Sequence, residues 1–126
     1  KLGNNSIKNL TGVDGRLVEI ADLAITISRI DFGIPSTGGL RTTADQAKLF
    51  ADGVSKADGV NNKSYHQSGK AIDVYAYVDG KASWDKYHLT TIATNMLQAA
   101  AQLGYPLKWG GNWKSWQDMP HYELKD

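Results

Sequence analysis

Cysteine is absent from the 126 residues, so neither disulfides nor thiolate metal ligands are available. Any metal site would have to use nitrogen and oxygen donors. The same absence leaves the redox compartment open. An excess of either charge is also lacking. Lys and Arg total 14, Asp and Glu 13, and the formal net charge of +1 argues against nucleic acid or an anionic membrane as the main partner. No apolar run approaches membrane-spanning length, and the N-terminal residues lack the hydrophobic stretch of a secretion signal. No internal repeat or low-complexity tract interrupts the chain. Histidine is scarce: only His66, His88 and His121 are present.

What is present fits an ordinary globular chain, with 41% hydrophobic and 21% charged residues. The length allows one core, so residues 1–126 are expected to form a single domain. Leu17, Ile20, Ala21, Ala24, Ile27 and Ser28 recur at helical spacing and predict an amphipathic helix from Asp14 to Ile30, with Arg16, Glu19 and Asp22 outward. A second helix is expected to start at Thr43, with Gln46 completing a capping box, Ala47 and Phe50 on one face, and Gly53 as its stop. A third should run from Trp84 to Leu103. Alternation over Ala71–Val78 predicts one strand with Ile72, Val74 and Ala76 on one face and Asp73, Tyr75 and Tyr77 on the other. A turn at Val78-Asp79-Gly80-Lys81 follows. Leu107–Trp109 and His121–Leu124 are shorter strands, and residues 54–64 read as a polar surface loop. Helices and strands mix without strict alternation, which gives the α+β class.

Chemistry concentrates in two segments. In Ser64-Tyr65-His66-Gln67-Ser68-Gly69-Lys70-Ala71-Ile72-Asp73, a carboxylate sits between apolar strand residues, a costly place unless it is paired or bound to metal. A turn at Gly69 would bring His66 beside it. On spacing alone, a metal site and a loop histidine with a solvent-facing carboxylate are about equally good readings. In Gln117-Asp118-Met119-Pro120-His121-Tyr122-Glu123-Leu124, Pro120 fixes the backbone before His121, and Asp118 sits three residues upstream where it could reach a water at a metal. Asp118 also reads as a plain turn residue. Two histidines, one carboxylate and one open position make up the ligand set of a catalytic zinc site. His88, flanked by Tyr87 and Leu89 within a helix, reads as structural.

Taken together these segments resemble the zinc peptidases that include D-alanyl-D-alanine carboxypeptidases and the L-alanyl-D-glutamate endopeptidases of phage endolysins. The pattern S-x-H-x-x-G-x-A-x-D is met by Ser64, His66, Gly69, Ala71 and Asp73. The pattern acid-x-x-H-aromatic-Glu is met by Asp118, His121, Tyr122 and Glu123. Gly39-Leu40-Arg41-Thr42, with Gln46, Leu49, Phe50 and Gly53, matches an earlier family segment. Trp109-Gly110-Gly111-Asn112-Trp113 resembles W-G-G-D-W of the endolysin branch, with Asn112 in place of Asp. The resemblance covers about residues 12 to 125.

It implies a hedgehog/DD-peptidase-like fold, a small antiparallel sheet with about three helices. It also implies one Zn²⁺ per chain on His66, Asp73 and His121, with Asp118 as the general acid/base. Arg41 is expected to steady the developing oxyanion or a substrate carboxylate, and Ser64 to donate a hydrogen bond to substrate or to stabilise its own turn. The implied substrate is the peptide stem of peptidoglycan. Asp at position 118 leans towards the L-Ala–D-Glu bond over D-Ala–D-Ala carboxypeptidase or dipeptidase activity. A non-catalytic, metal-holding wall-binding module is the alternative of another class. Trp109, Trp113, Trp116 and Tyr122 read either as cleft walls or as packing, and Glu123 either as support for a ligand or as an exposed strand carboxylate. A monomer is expected, made in a host cytoplasm without a signal peptide, not inserted in membrane, and reaching the wall after release through a holin. It would act on a thin Gram-negative wall or as the catalytic module of a longer chain.

Overall fold

The computed structural model describes residues 1–125. In chain order the elements are α1 (Asn4–Asn9), α2 (Gly15–Ile27), β1 (Asp31–Gly33), α3 (Thr43–Ala51), β2 (Ala71–Asp73), β3 (Tyr75–Val78), β4 (Lys81–Ser83), α4 (Lys86–Leu103), β5 (Leu107–Trp109) and β6 (His121–Leu124), with single 3₁₀ turns at Tyr65–Ser68 and Gly110–Asn112. The α+β class and the antiparallel pairing hold. The sheet, however, is two three-stranded sheets, ordered β1-β3-β4 and β2-β6-β5.

The predicted strand Ala71–Val78 is therefore two strands. The break falls at Val74, whose N–H donates to the Pro120 carbonyl, and each half joins a different sheet. Its alternation survives the break: Ile72, Val74 and Ala76 are all fully buried. A local pattern records which face is apolar, but not which neighbour a strand pairs with. Three short elements, α1, β1 and β4, escaped the sequence reading because none is long enough to show a period. The Asp79-Gly80 turn joins β3 to β4 with both residues at positive φ, the usual two-residue hairpin geometry.

Helices α2 and α4 pack against each other and on the sheets, joining Leu17, Ile20, Ala21 and Ala24 to Ile92, Ala93, Met96 and Ala100 in one core. Truncating Ile92 or Met96 to Ala would cost about 2–5 kcal/mol at such fully buried positions. Asp14 caps α2, and the helix ends at Ile27, where Ser28 turns extended, three residues short of the expected end. Helix α4 starts two residues later than expected, capped by Asp85.

Helix α3 begins where expected, but its cap is different. Thr42 accepts the Asp45 N–H at 3.0 Å, and Gln46 is fully buried with its amide turned towards neighbouring loops. The inward face carries Gln46 and Leu49, whereas Ala47 and Phe50 are exposed. The capping box lies instead on the 3₁₀ turn. There Ser64 Oγ accepts the His66 N–H at 3.2 Å, and Gln67 Oε1 accepts the Ser64 N–H at 2.9 Å. Among the described residues no helix is long and apolar enough to cross a membrane.

Candidate active site

The β2–β6 pairing puts Asp73 directly opposite His121, with Ile72 opposite Tyr122 and Ala71 opposite Glu123. Alternation then sends Tyr122 into the core and turns His121, Glu123 and Asp73 to the other face. His66 arrives from the capped 3₁₀ turn. Gly69 ends that turn at φ 74°, and a Cβ there would come 2.8 Å from the Gly12 carbonyl oxygen, so the reversal needs glycine. His66 Nε2 ends 3.3 Å from Asp73 Oδ1, and His121 Nδ1 lies 3.2 Å from the same oxygen. The two imidazole centroids are 5.2 Å apart.

The partners of the other ring nitrogens decide how these rings can act. His66 Nδ1 lies 3.0 Å from the Gly39 carbonyl, which can only accept, so that nitrogen carries the hydrogen and Nε2 is left for a metal. His121 Nε2 lies 2.7 Å from Glu123 Oε1 and is likewise fixed as a donor, leaving Nδ1. Donor atoms of His66, Asp73 and His121 lie within 4.8 Å of one another. Two outward-braced imidazoles and a carboxylate fit a tetrahedral nitrogen–oxygen site with room for a fourth ligand. Glu123 thus supports a histidine, which resolves the two readings its strand position allowed. The Gly39 carbonyl had no sequence signal, because a backbone acceptor can be any residue.

Electrostatics bind the cluster together. Burial by itself would raise the Asp73 pKa; hydrogen bonds and charge from His121 and His66 overcome this and hold the carboxyl well below the usual range. Burial likewise works against the His121 cation, yet Asp73 and Glu123 push its pKa up to about 9. Arg41 donates Nη2–H to Asp73 Oδ2 at 2.9 Å, Nη1–H to Gln46 Oε1 at 3.1 Å and Nε–H to the Thr37 carbonyl at 2.8 Å. Burial lowers its pKa, opposed chiefly by the negative charge of Asp73.

Asp118 stands at the other side of the cluster, half-buried. Its pKa is raised first by burial and then by the charge of Asp73, against the pull of His121, His66 and Arg41. Gly110 holds it in place: the Asp118 N–H donates to the Gly110 carbonyl at 3.0 Å, and a Cβ on Gly110 would run into the Asp118 backbone.

Arg41, Ser64, His66, Asp73, Asp118 and His121 all line one cleft of about 610 Å³. Trp113 and Trp116 wall it, and Trp113 stacks at 5.2 Å from the His121 ring. Trp109 belongs to packing instead, its Nε1–H given to the Met119 carbonyl, and Tyr122 is core. Trp84, read as the first residue of a helix, is a cleft wall. His88 contacts Ser83 Oγ at 2.7 Å and stays outside the cleft. The polar segment 54–64 forms the remaining wall. Asp58 Oδ1 accepts the N–H groups of Val60, Asn61 and Asn62, each at 2.9 Å, which orders the segment from within.

The sequence profile of the family described as phage L-alanyl-D-glutamate peptidase matches residues 1–125. The chain belongs to that family. The L-alanyl-D-glutamate peptidase of Escherichia phage T5 is 36% identical over 126 residues, covering 99% of this chain and 89% of that protein. The peptidoglycan L-alanyl-D-glutamate endopeptidase CwlK of Bacillus subtilis (strain 168) is 30% identical over 99 residues, 70% of this chain and 58% of that protein. Among solved structures, the L-Ala D-Glu endopeptidase ChiX of Serratia marcescens superposes with a TM-score of 0.87 at 33% identity, covering 99% of this chain and 90% of that one.

Proposed function

We propose that this chain is a zinc-dependent peptidase that hydrolyses the L-Ala–D-Glu bond of the peptidoglycan stem, with residues 1–126 acting as one catalytic domain. The observation that carries this reading is the pair of braced imidazoles meeting Asp73 beside the half-buried Asp118. His66 through Nε2, Asp73 through its carboxylate and His121 through Nδ1 would hold one Zn²⁺ per chain. Bound there, zinc supplies Lewis-acid polarisation of the scissile carbonyl and acidifies the attacking water.

The protein's own groups do the rest. Asp118 accepts a proton from the water and returns it to the departing amine. Its raised pKa suits this work better than that of a free surface carboxylate. Arg41 spends one N–H of each terminal nitrogen on Asp73 and Gln46, so the second N–H of each is left to meet negative charge growing on the carbonyl oxygen. Ser64 Oγ serves its turn as an acceptor, which frees its hydroxyl hydrogen for a substrate carbonyl. The names carried by the phage T5 and Serratia relatives support the choice of bond. The protein is read as a monomer that meets the cell wall after release from the host cytoplasm.

Metal analysis combined with a digest of purified peptidoglycan tests this reading. About one zinc per chain and new N-terminal D-Glu are expected. Released D-Ala would instead indicate a carboxypeptidase. Asp118→Ala should keep the metal and lose cleavage, and a fully active Asp118→Ala protein would remove the general-base assignment. A metal-bearing wild type that cuts nothing would be a binding module.

A further inference from the structure

Glutamate carries two carboxyl groups, and only one can continue a peptide. A bond cut on the amino side of D-Glu therefore has a free carboxylate within a few atoms of the scissile nitrogen. The two N–H groups that Arg41 has left after Asp73, Gln46 and Thr37 are assigned to the scissile carbonyl oxygen, so this second negative group needs a cation of its own. Another cation in the cleft is better suited.

Lys56 lines the same cleft at its exposed rim, with Nζ 4.8 Å from the centre of the Trp116 ring. Among the described residues it forms no ion pair with any carboxylate. An ammonium held over an aromatic face keeps its charge while losing much of its freedom, so it is prepared for an incoming anion. Lys63 also lines the cleft and is likewise exposed, but among the described residues it stacks on no ring.

The position of Lys56 is fixed relative to the ligand cluster. Gln46 Nε2 donates to Ser55 Oγ and to the Ala57 carbonyl, both at 2.8 Å, and so grips the residues on each side of Lys56. Gln46 Oε1 in turn accepts from Arg41, and Arg41 holds Asp73. A buried amide thus anchors the backbone that carries this cation relative to the reacting centre. That explains why a fully buried glutamine points away from its own helix end.

We infer that Lys56, steadied by Trp116 and by Gln46 through the backbone, forms a subsite for the free carboxylate of the substrate's glutamate and selects acidic stems over amidated ones. This rests on the L-Ala–D-Glu peptidase reading. Lys56 is a specificity residue and takes no part in the chemistry.

The test compares two synthetic stem peptides, one with that carboxylate free and one with it amidated, using the zinc-loaded protein. Wild type is expected to favour the acid by about three- to fivefold in kcat/KM, mainly through KM, as one solvent-exposed ion pair allows. The preference should shrink with added salt. Lys56→Met keeps the aliphatic stem over Trp116 and should cut the acid to the level of the amide, leaving the amide unchanged. Lys56→Arg should restore the preference. If Lys56→Met retains the acid-over-amide ratio, or lowers both substrates equally, the subsite is wrong while the peptidase reading stands. If the wild type cleaves neither peptide, the peptidase reading falls and the subsite with it.

Discussion

Asp73 and His121 face each other across the β2–β6 ladder, and one oxygen of Asp73 lies 3.2 Å from His121 Nδ1 while the other takes a hydrogen bond from Arg41 at 2.9 Å. A single carboxylate thus joins the ligand cluster to the Arg41–Gln46 chain that braces the opposite cleft wall. The consequences of this arrangement can be measured.

Glu123 fixes the His121 ring by accepting from Nε2 at 2.7 Å. Replacing it by Gln removes the charge but keeps the shape. Zinc affinity is expected to fall about 10–100-fold, the usual cost of losing a partner behind a metal ligand. Competition against a chromogenic chelator measures this. Wild-type affinity in Glu123→Gln would show that the Glu123 charge does not support the site.

Gly110 touches the Asp118 backbone where any Cβ would intrude. Gly110→Ala should displace Asp118 and reduce kcat by about 10²-fold, the scale seen when a reacting group shifts by an ångström. Metal content should not change, because Gly110 touches none of the three ligands. Loss of zinc in this variant would mean that the 3₁₀ turn supports the metal site itself.

Asp14 accepts from the Arg16 backbone and guanidinium and from Lys70 Nζ at 2.9 Å, tying the start of α2 to the segment that enters β2. Side-chain hydrogen bonds from Arg16 and then Lys70 hold its pKa well below the usual carboxylate range. A carboxyl whose folded pKa lies below its unfolded value stabilises the protein above the unfolded pKa and loses that contribution as pH falls through the folded one. Asp14→Asn should therefore have a lower urea midpoint than wild type near neutral pH, with the gap narrowing below about pH 4. A gap that is constant or wider in acid would contradict this.

Tyr122 is fully buried, and its hydroxyl has no hydrogen-bond partner among the described residues. Burial alone pushes its pKa far up. Tyr122→Phe deletes an unpaired polar atom and keeps the ring. The expected result is unchanged stability or a gain of about 1 kcal/mol. A loss of more than about 1 kcal/mol in denaturant unfolding would reveal a partner for that hydroxyl.

The sequence by itself determined what local chemistry can determine. The 3.6-residue stripe of α2 named Leu17, Ile20, Ala21 and Ala24 as core, although its last large member, Ile27, is exposed, and alternation named Ile72, Val74 and Ala76. The absence of cysteine and the family segments around His66, Asp73, Asp118 and His121 named the cluster. Tertiary structure decided matters of partnership. Val74 bonds to Pro120 and splits one strand between two sheets, and that pairing sets Asp73 opposite His121. Gln46, which read as a helix cap, became the buried clamp between Arg41 and the Lys56 segment because its amide found better partners in the interior than at the helix end. Periodicity fixes which way a side chain faces. Which distant backbone or side chain it meets depends on pairing across tens of residues, and no local pattern carries that information.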